Sequence, residues 1–323
     1  METRGATENY YRQLLGETRG LPALAAVVTK VMTAVIEETS AKEIAELIEK
    51  DASITSRVLK VVNSAYYGLS GHVSTVSQAV PILGIKVIKN IVLTFSVMDI
   101  FAQGKGRGVD FKKLWEHSFT TAAATRRLAM RGGYGDPEEA LVAGLLHDIG
   151  MLLFVKHGQE DYAQVEEMAK MSGRSLVSVE QEVMGIDHAE LGALLAEKWQ
   201  LPEVLVAPIR YHHNPEAMEQ GGRQVRRLVE MVHQADRLCR LFTLPAQEEG
   251  ILKYANELSG SLGLTQGELV TVINEVAQEV EETAQRFMVK MEPPKSYLEI
   301  LEEAHLELGR LNLSQLMSAK SSK

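Results

Sequence analysis

The stretch that most restricts this chain is Leu141 to Phe154, LVAGLLHDIGMLLF. Apolar residues occupy nearly all of it, so a helix here belongs in an interior rather than on a surface. Near its end stand His147 and Asp148, with Gly150 just after them. An imidazole and a carboxylate at the mouth of such a helix are costly to bury unless partners meet them. The chain offers candidates in order: His117 before the pair, then His188, His212, His213 and Asp236 after it. Neutral imidazoles and carboxylates suit Mn, Fe, Co, Ni or Zn, whereas Mg and Ca prefer oxygen alone. Seven ligand-type residues exceed the four of a simple zinc site, which leaves room for two neighbouring metals.

Helical signals run through the rest, and no alternating run is long enough for a strand. Pro22 suits the first turn of a helix over 23–38, and Ser40 with Glu43 forms a capping box for one ending near Lys50. Asp51 caps the next helix, and Gly68 stops it after Tyr66 and Tyr67. Ile85 to Phe101 is apolar almost all round, which predicts burial between two parts of the protein. Gly104 to Gly108, GKGRG, follows a helix and lacks a Gly-Lys-Ser/Thr ending; it reads as a flexible boundary with Lys105 at the surface. Asp136 and Pro137 open the helix bearing His147, Asp187 caps another, and Pro202 starts the helix leading to His212. The expectation is an all-α protein of a dozen or more helices.

With 34 basic and 43 acidic residues in 323, the net charge of −9 argues against a broad nucleic-acid surface. The single cysteine, Cys239, excludes an internal disulfide framework and fits a reducing compartment. No apolar signal-type segment opens METRGATENYYRQLL, and Lys86, Lys89, Asn90 and Asp99 interrupt the apolar stretch 82–101. A cytoplasmic protein without a membrane span is expected. His72, His157 and His305 lack partner patterns and read as ordinary histidines; His233, three residues before Asp236, reads as a surface residue or a support to the site.

The N-terminal LPALAAVVTKVM and DASITSRVLKVVNSAYYGLSGHVSTVSQAVPILG resemble the HDOD family of bacterial signalling proteins, a branch of the HD phosphohydrolase superfamily. LVAGLLHDIGMLLF, DHAELGALLAEKWQLPE and IRYHHNPE extend the resemblance, which covers about 21–242. It implies an N-terminal helical lobe (1–104) packed on a multi-helix HD-type lobe (109–242), with a helical extension over 243–323. It also implies that His117, His147, Asp148 and Asp236 form the basic HD metal set. His188, His212 and His213 match the extra ligands of the two-metal HD-GYP phosphodiesterases, with Asp148 able to bridge. Iron, manganese, nickel or zinc are the metals expected, one or two ions.

Two departures matter. Met151 stands where the HD-GYP pattern HD-x-G-Lys has its cation, and Asn214-Pro215-Glu216 follows His213 without the Gly-Tyr-Pro segment. A cation that could stabilise phosphate is thereby missing from that position. The reading preferred from the sequence is a regulatory signal-transduction module with a metal-binding HD site, recognising a signalling protein or a small phosphate-containing ligand. The alternative is a working metal-dependent phosphohydrolase acting on a cyclic nucleotide or other phosphoester. A third reading makes the polar cluster a hydrogen-bonded core without metal.

Overall fold

Capping chemistry marks out the first helices of the computed structural model, which describes residues 26–34, 40–102, 111–157, 162–242, 248–291, 298–300 and 302. Ser40 and Glu43 form the expected reciprocal box, with Ser40 N donating to Glu43 Oε2 at 2.8 Å and Glu43 N to Ser40 Oγ at 3.2 Å. Asp51 accepts from the backbone of Ser53 and Ile54, each at 3.0 Å. The N-terminal lobe so begun holds α1 (Ala26–Thr33), α2 (Ala41–Glu49), α3 (Ala52–Val62), α4 (Val76–Leu83) and α5 (Ile85–Ala102). Helix α3 stops three residues before the expected end. A 3₁₀ turn, Ala65–Tyr67, follows, and Gly68 closes it at φ +55°, the left-handed conformation glycine reaches without strain. The Asn63 side chain fixes the next loop, exchanging two 2.8 Å hydrogen bonds with the backbone of Val73.

The second lobe runs through α6 (Phe111–Arg131), α7 (Pro137–Leu146), α8 (Ile149–His157), α9 (Tyr162–Ser172), α10 (Leu176–Val183), α11 (His188–Lys198), α12 (Glu203–Tyr211) and α13 (Arg223–Arg240). Two long helices follow, α14 (Glu248–Leu262) and α15 (Gln266–Phe287). Among the described residues there are fifteen α-helices and no strand, so the all-α expectation holds. No single described helix is long and apolar enough to cross a membrane. The 104–108 boundary with Lys105, the Pro22 start, His305, the side chain of His157 and most of the chain after 291 lie outside the described residues. His72 is exposed, and Cys239 is buried with burial raising its thiol pKa, as an inert apolar residue would be.

Within Leu141 to Phe154 the His147–Asp148 pair stands at a helix end, as expected, and a second helix begins at once at Ile149. The chain breaks at His147 and Asp148, between α7 and α8, so the pair occupies a helix joint. Close helix contact explains the two glycines that flank the break. A Cβ on Gly150 would stand 1.9 Å from the His188 carbonyl oxygen and 2.7 Å from Gly192 N, so α8 and α11 meet backbone to backbone. A Cβ on Gly144 would stand 2.5 Å from Thr125 Oγ1, which brings α7 equally close to α6. Small residues are what permit such approach.

Helix α5 is buried as its apolar pattern predicts. It packs on α1, α3 and α4 of its own lobe and on α7 of the next. Ile88, Ile91, Val92, Leu93 and Val97 are all fully enclosed. A charged junction unannounced by the sequence pattern lies nearby. Arg286 of α15 stands under the rings of Tyr66, Tyr67 and Phe287 at 4.8, 5.1 and 5.0 Å, and its Nη2 is 2.6 Å from Glu138 Oε2. Arg126 of α6 joins the same Glu138 at 3.1 Å and reaches Glu279 of α15 at 2.6 Å; it also donates to the Tyr66 hydroxyl. The junction thus ties the N-terminal lobe, the second lobe and α15 together through charges paired out of water.

Candidate metal centre

The second lobe gathers all seven residues singled out by the sequence. His117 comes from α6, His147 and Asp148 from the α7–α8 joint, and His188 from the first position of α11. His212 caps α12, His213 follows it, and Asp236 projects from α13. The Asp148 carboxylate is the hub. Its Oδ2 lies 3.1 Å from His147 Nε2 and 3.4 Å from His117 Nε2, while Oδ1 lies 3.3 Å from His188 Nε2 and 3.5 Å from His212 Nε2. Two sets of donor atoms result, each within 4.8 Å: His117, His147 and Asp148 on one side, Asp148, His188, His212 and His213 on the other. Asp236 falls in neither set but faces His117 Nε2 at 3.2 Å.

Orientation of the imidazoles tests whether a cation fits. His147 Nδ1 lies 2.8 Å from Gly144 O, and His212 Nδ1 lies 2.8 Å from Ile209 O. A carbonyl only accepts, so both Nδ1 atoms carry protons, and in the neutral rings, the form that binds a metal, both Nε2 atoms present lone pairs. Those two Nε2 atoms are buried without a hydrogen-bond partner. Orphaned acceptors aimed at a shared carboxylate fit a bound cation better than a self-satisfied polar core. His188 Nε2 and His213 Nε2, 2.8 Å apart, need a proton or a cation between them. The donor set, imidazole nitrogen with carboxylate oxygen, suits a first-row transition metal.

The protonation pattern follows from the same geometry. Burial opposes charge on Asp148, yet His147, His117 and His188 hold it well below the carboxylate range. Asp236 is lowered likewise against burial, by His117 and then Arg240. Burial works against a charged His117, but Asp148 and Asp236 raise it to about 10. Against burial, Glu180 and Asp148 raise His188. Burial lowers His212, and burial with the neighbouring His212 and His188 pushes His213 down to about 2.

A cavity of about 660 Å³ opens over the cluster, within the usual range for small-molecule sites. Met151 lines it beside Asp148, so a thioether occupies the position that HD-GYP proteins give to lysine. Cations reach the walls from elsewhere: Lys113, one turn before His117, Arg240, one turn past Asp236, and Lys170 with Arg174 at the end of α9. Arg240 Nη2 lies 3.2 Å from Asp236 Oδ2. Three site residues escaped the sequence reading. Arg240 is one, and Glu180 and Tyr162, which support His188, are the others. For Glu180 a signal existed, since it shares a helix face with Leu176, Val183 and Met184, where an apolar residue is the norm. His233 is part-buried, its Nδ1 2.6 Å from His212 O, so of its two expected roles it takes support to the site.

Comparison with known proteins places this architecture. The model of the HDOD domain family matches residues 21–215. The chain belongs to the HDOD family. The matched HDOD segment includes six of the seven cluster residues and ends before Asp236. A solved HDOD domain protein of unknown function from Geobacter sulfurreducens superposes with a TM-score of 0.66 at 25% identity, covering 88% of this chain and 97% of that one. A candidate phosphohydrolase from Shewanella amazonensis SB2B gives a TM-score of 0.63 at 27% identity, covering 85% and 97%. An uncharacterised protein of Treponema pallidum (strain Nichols) is 28% identical over 212 residues, which is 62% of this HDOD chain but only 39% of that relative. The chain therefore spans about two-fifths of that relative's length.

Proposed function

We propose that this HDOD protein is a cytoplasmic regulatory module of signal transduction, with one or two transition-metal ions held at the His/Asp cluster. The single observation carrying the reading is the convergence of imidazole Nε2 atoms, two of them orphaned, on Asp148 at the floor of an open cavity. His117, His147 and Asp148, with Asp236 beside them, would hold one ion; Asp148, His188, His212 and His213 would hold the other. Bound there, such an ion supplies Lewis acidity toward a phosphate oxygen. Among the described residues, Lys113, Lys170, Arg174 and Arg240 outnumber the single carboxylate Glu166 on the walls above the cluster, although Arg174 also pairs with Glu182 and Arg240 with Asp236; the balance favours a small anionic, phosphate-bearing ligand. Met151 supports a binding role over turnover, because no lysine beside Asp148 stabilises charge as it develops. Elemental analysis of the purified protein, followed by binding and turnover assays on a phosphoester panel, tests the reading. Metal with ligand binding and no turnover supports it; absence of metal after reconstitution overturns it.

A second reading, a metal-dependent phosphohydrolase, is favoured by the complete ligand set beside those four cations. Turnover on any member of the same panel decides for it.

A further inference from the structure

Three histidines of the cluster have a proton fixed on Nδ1, but only two obtain the acceptor locally. His147 and His212 each sit at the C-terminal end of a helix and use the carbonyl three residues back, Gly144 O and Ile209 O. Those carbonyls are among the last of a helix, which the helix itself leaves without partners. His188 is the first residue of α11 and has no preceding turn. Its Nδ1 can be fixed only by a group from another part of the fold, and Glu180 of α10 supplies it.

The Glu180 carboxylate is fully buried. Oε2 accepts from His188 Nδ1 at 2.7 Å and from the His188 backbone N–H at 3.0 Å. Oε1 accepts from the hydroxyl of Tyr162 on α9. Among the described residues the ion pair it makes is with His188 and not with a lysine or arginine. A buried carboxylate held this way is expensive, and an apolar residue would fill the same helix face at lower cost. What Glu180 gains the protein is a single ring orientation and tautomer for His188, with Nε2 turned toward Asp148 and His213.

We infer that Glu180, locked by Tyr162, is a positioning residue for one half of the centre only, the half formed by Asp148, His188, His212 and His213. The inference rests on the metal reading given above. A carboxylate behind a ligating imidazole fixes its orientation and raises its basicity, and losing one lowers metal affinity about 10–100-fold. Here the loss falls on the His188 half, because the His117 half has no contact with Glu180.

Calorimetric titration of the full chain with Mn²⁺, with stoichiometry checked by elemental analysis, tests this. His188→Ala and His117→Ala identify which binding event belongs to which half. Glu180→Leu, which keeps the buried volume, should weaken the event lost in His188→Ala about 10–100-fold and leave the other unchanged. Glu180→Gln retains an acceptor for Nδ1–H and should recover most of that affinity, an outcome that packing alone would not give. Tyr162→Phe removes only the hydroxyl and should cost a few-fold at the same half, so the inference stays testable if Glu180→Leu does not fold. Wild-type affinity in both Glu180→Leu and Tyr162→Phe, or equal weakening of both halves, overturns the inference and leaves the metal reading standing. No Mn²⁺ binding by the wild-type protein overturns the metal reading, and the inference with it.

Discussion

The rings of Phe95 and Phe287 meet edge to face with centroids 5.7 Å apart, so the middle of α5 touches the end of α15. Helix α5 therefore has three neighbourhoods: its own lobe, α7, and the last long helix. Ile91 lies at the enclosed centre of this arrangement. Ile91→Asp should cost roughly 4 kcal/mol or more, a large share of the ~5–15 kcal/mol that usually holds a domain folded. Lys60→Ala, on an exposed position, should stay within about 0.5 kcal/mol. Thermal melts of both decide it; an Ile91→Asp melt within a degree or two of wild type would contradict the burial.

Metal occupancy should depend most on the hub. Purified protein is expected to carry one or two equivalents of iron, manganese, nickel or zinc. His147→Ala should remove the ion of the His117 side, while Asp148→Ala should remove all bound metal, since its two oxygens serve both donor sets. Stripping the metal should also lower the melting temperature, because a ligand at a hundredfold its Kd stabilises by about 2.7 kcal/mol. Metal content and melting temperature before and after chelation measure both effects.

Cyclic dinucleotide hydrolysis should be weak or absent. Met151 at the cavity wall offers no charge to a leaving group, and Asn214-Pro215-Glu216, which leads into a 3₁₀ turn, follows His213 without a Gly-Tyr-Pro segment. A site that binds phosphate without stabilising the developing charge gains affinity but not rate. Cyclic di-GMP turnover by metal-loaded protein near or above about 1 per second, an ordinary enzymatic rate, would refute this.

Chelated protein should be most stable near pH 6.5. His117 is raised to about 10 and His188 is raised as well, so their contribution is complete below the unfolded value and is lost as pH climbs toward 10. His213, pushed to about 2, and His212, also lowered, act oppositely: below 6.5 the unfolded chain takes up protons that the folded one refuses. Metal reverses the alkaline limb, because it binds imidazoles only after their protons leave. Melting temperature against pH, with and without metal, should show the chelated maximum near neutrality and the loaded one at higher pH. A chelated protein that keeps gaining stability up to pH 9 would contradict the protonation pattern.

How much was legible depended on the range of each signal. Caps at Ser40, Asp51, Asp136 and Asp187 act over two or three residues, and all four hold. The seven cluster residues were legible because their order and types carry the chemistry, wherever the helices place them. Local pattern placed His147 near a helix end but did not reveal the new helix that starts at Ile149, since apolar residues on both sides mask a joint inside a buried run. Glu180 carried a signal in its place on the face of Leu176, Val183 and Met184, but its role stayed hidden until the tertiary partner was known. The Arg286 junction was hidden for a related reason, its members lying far apart in the chain and having meaning only together.

That junction also sets a timetable for biosynthesis. Glu279 follows its partner Arg126 by 153 residues. At roughly 5–20 residues per second, a ribosome needs about 8–30 s to deliver the second after the first. During that interval Arg126 and Glu138 wait beside Tyr66 without the counter-charges of α15. A nascent chain released before α15 emerges would thus carry two lobes and an unsealed seam between them, a natural target for a chaperone or a protease.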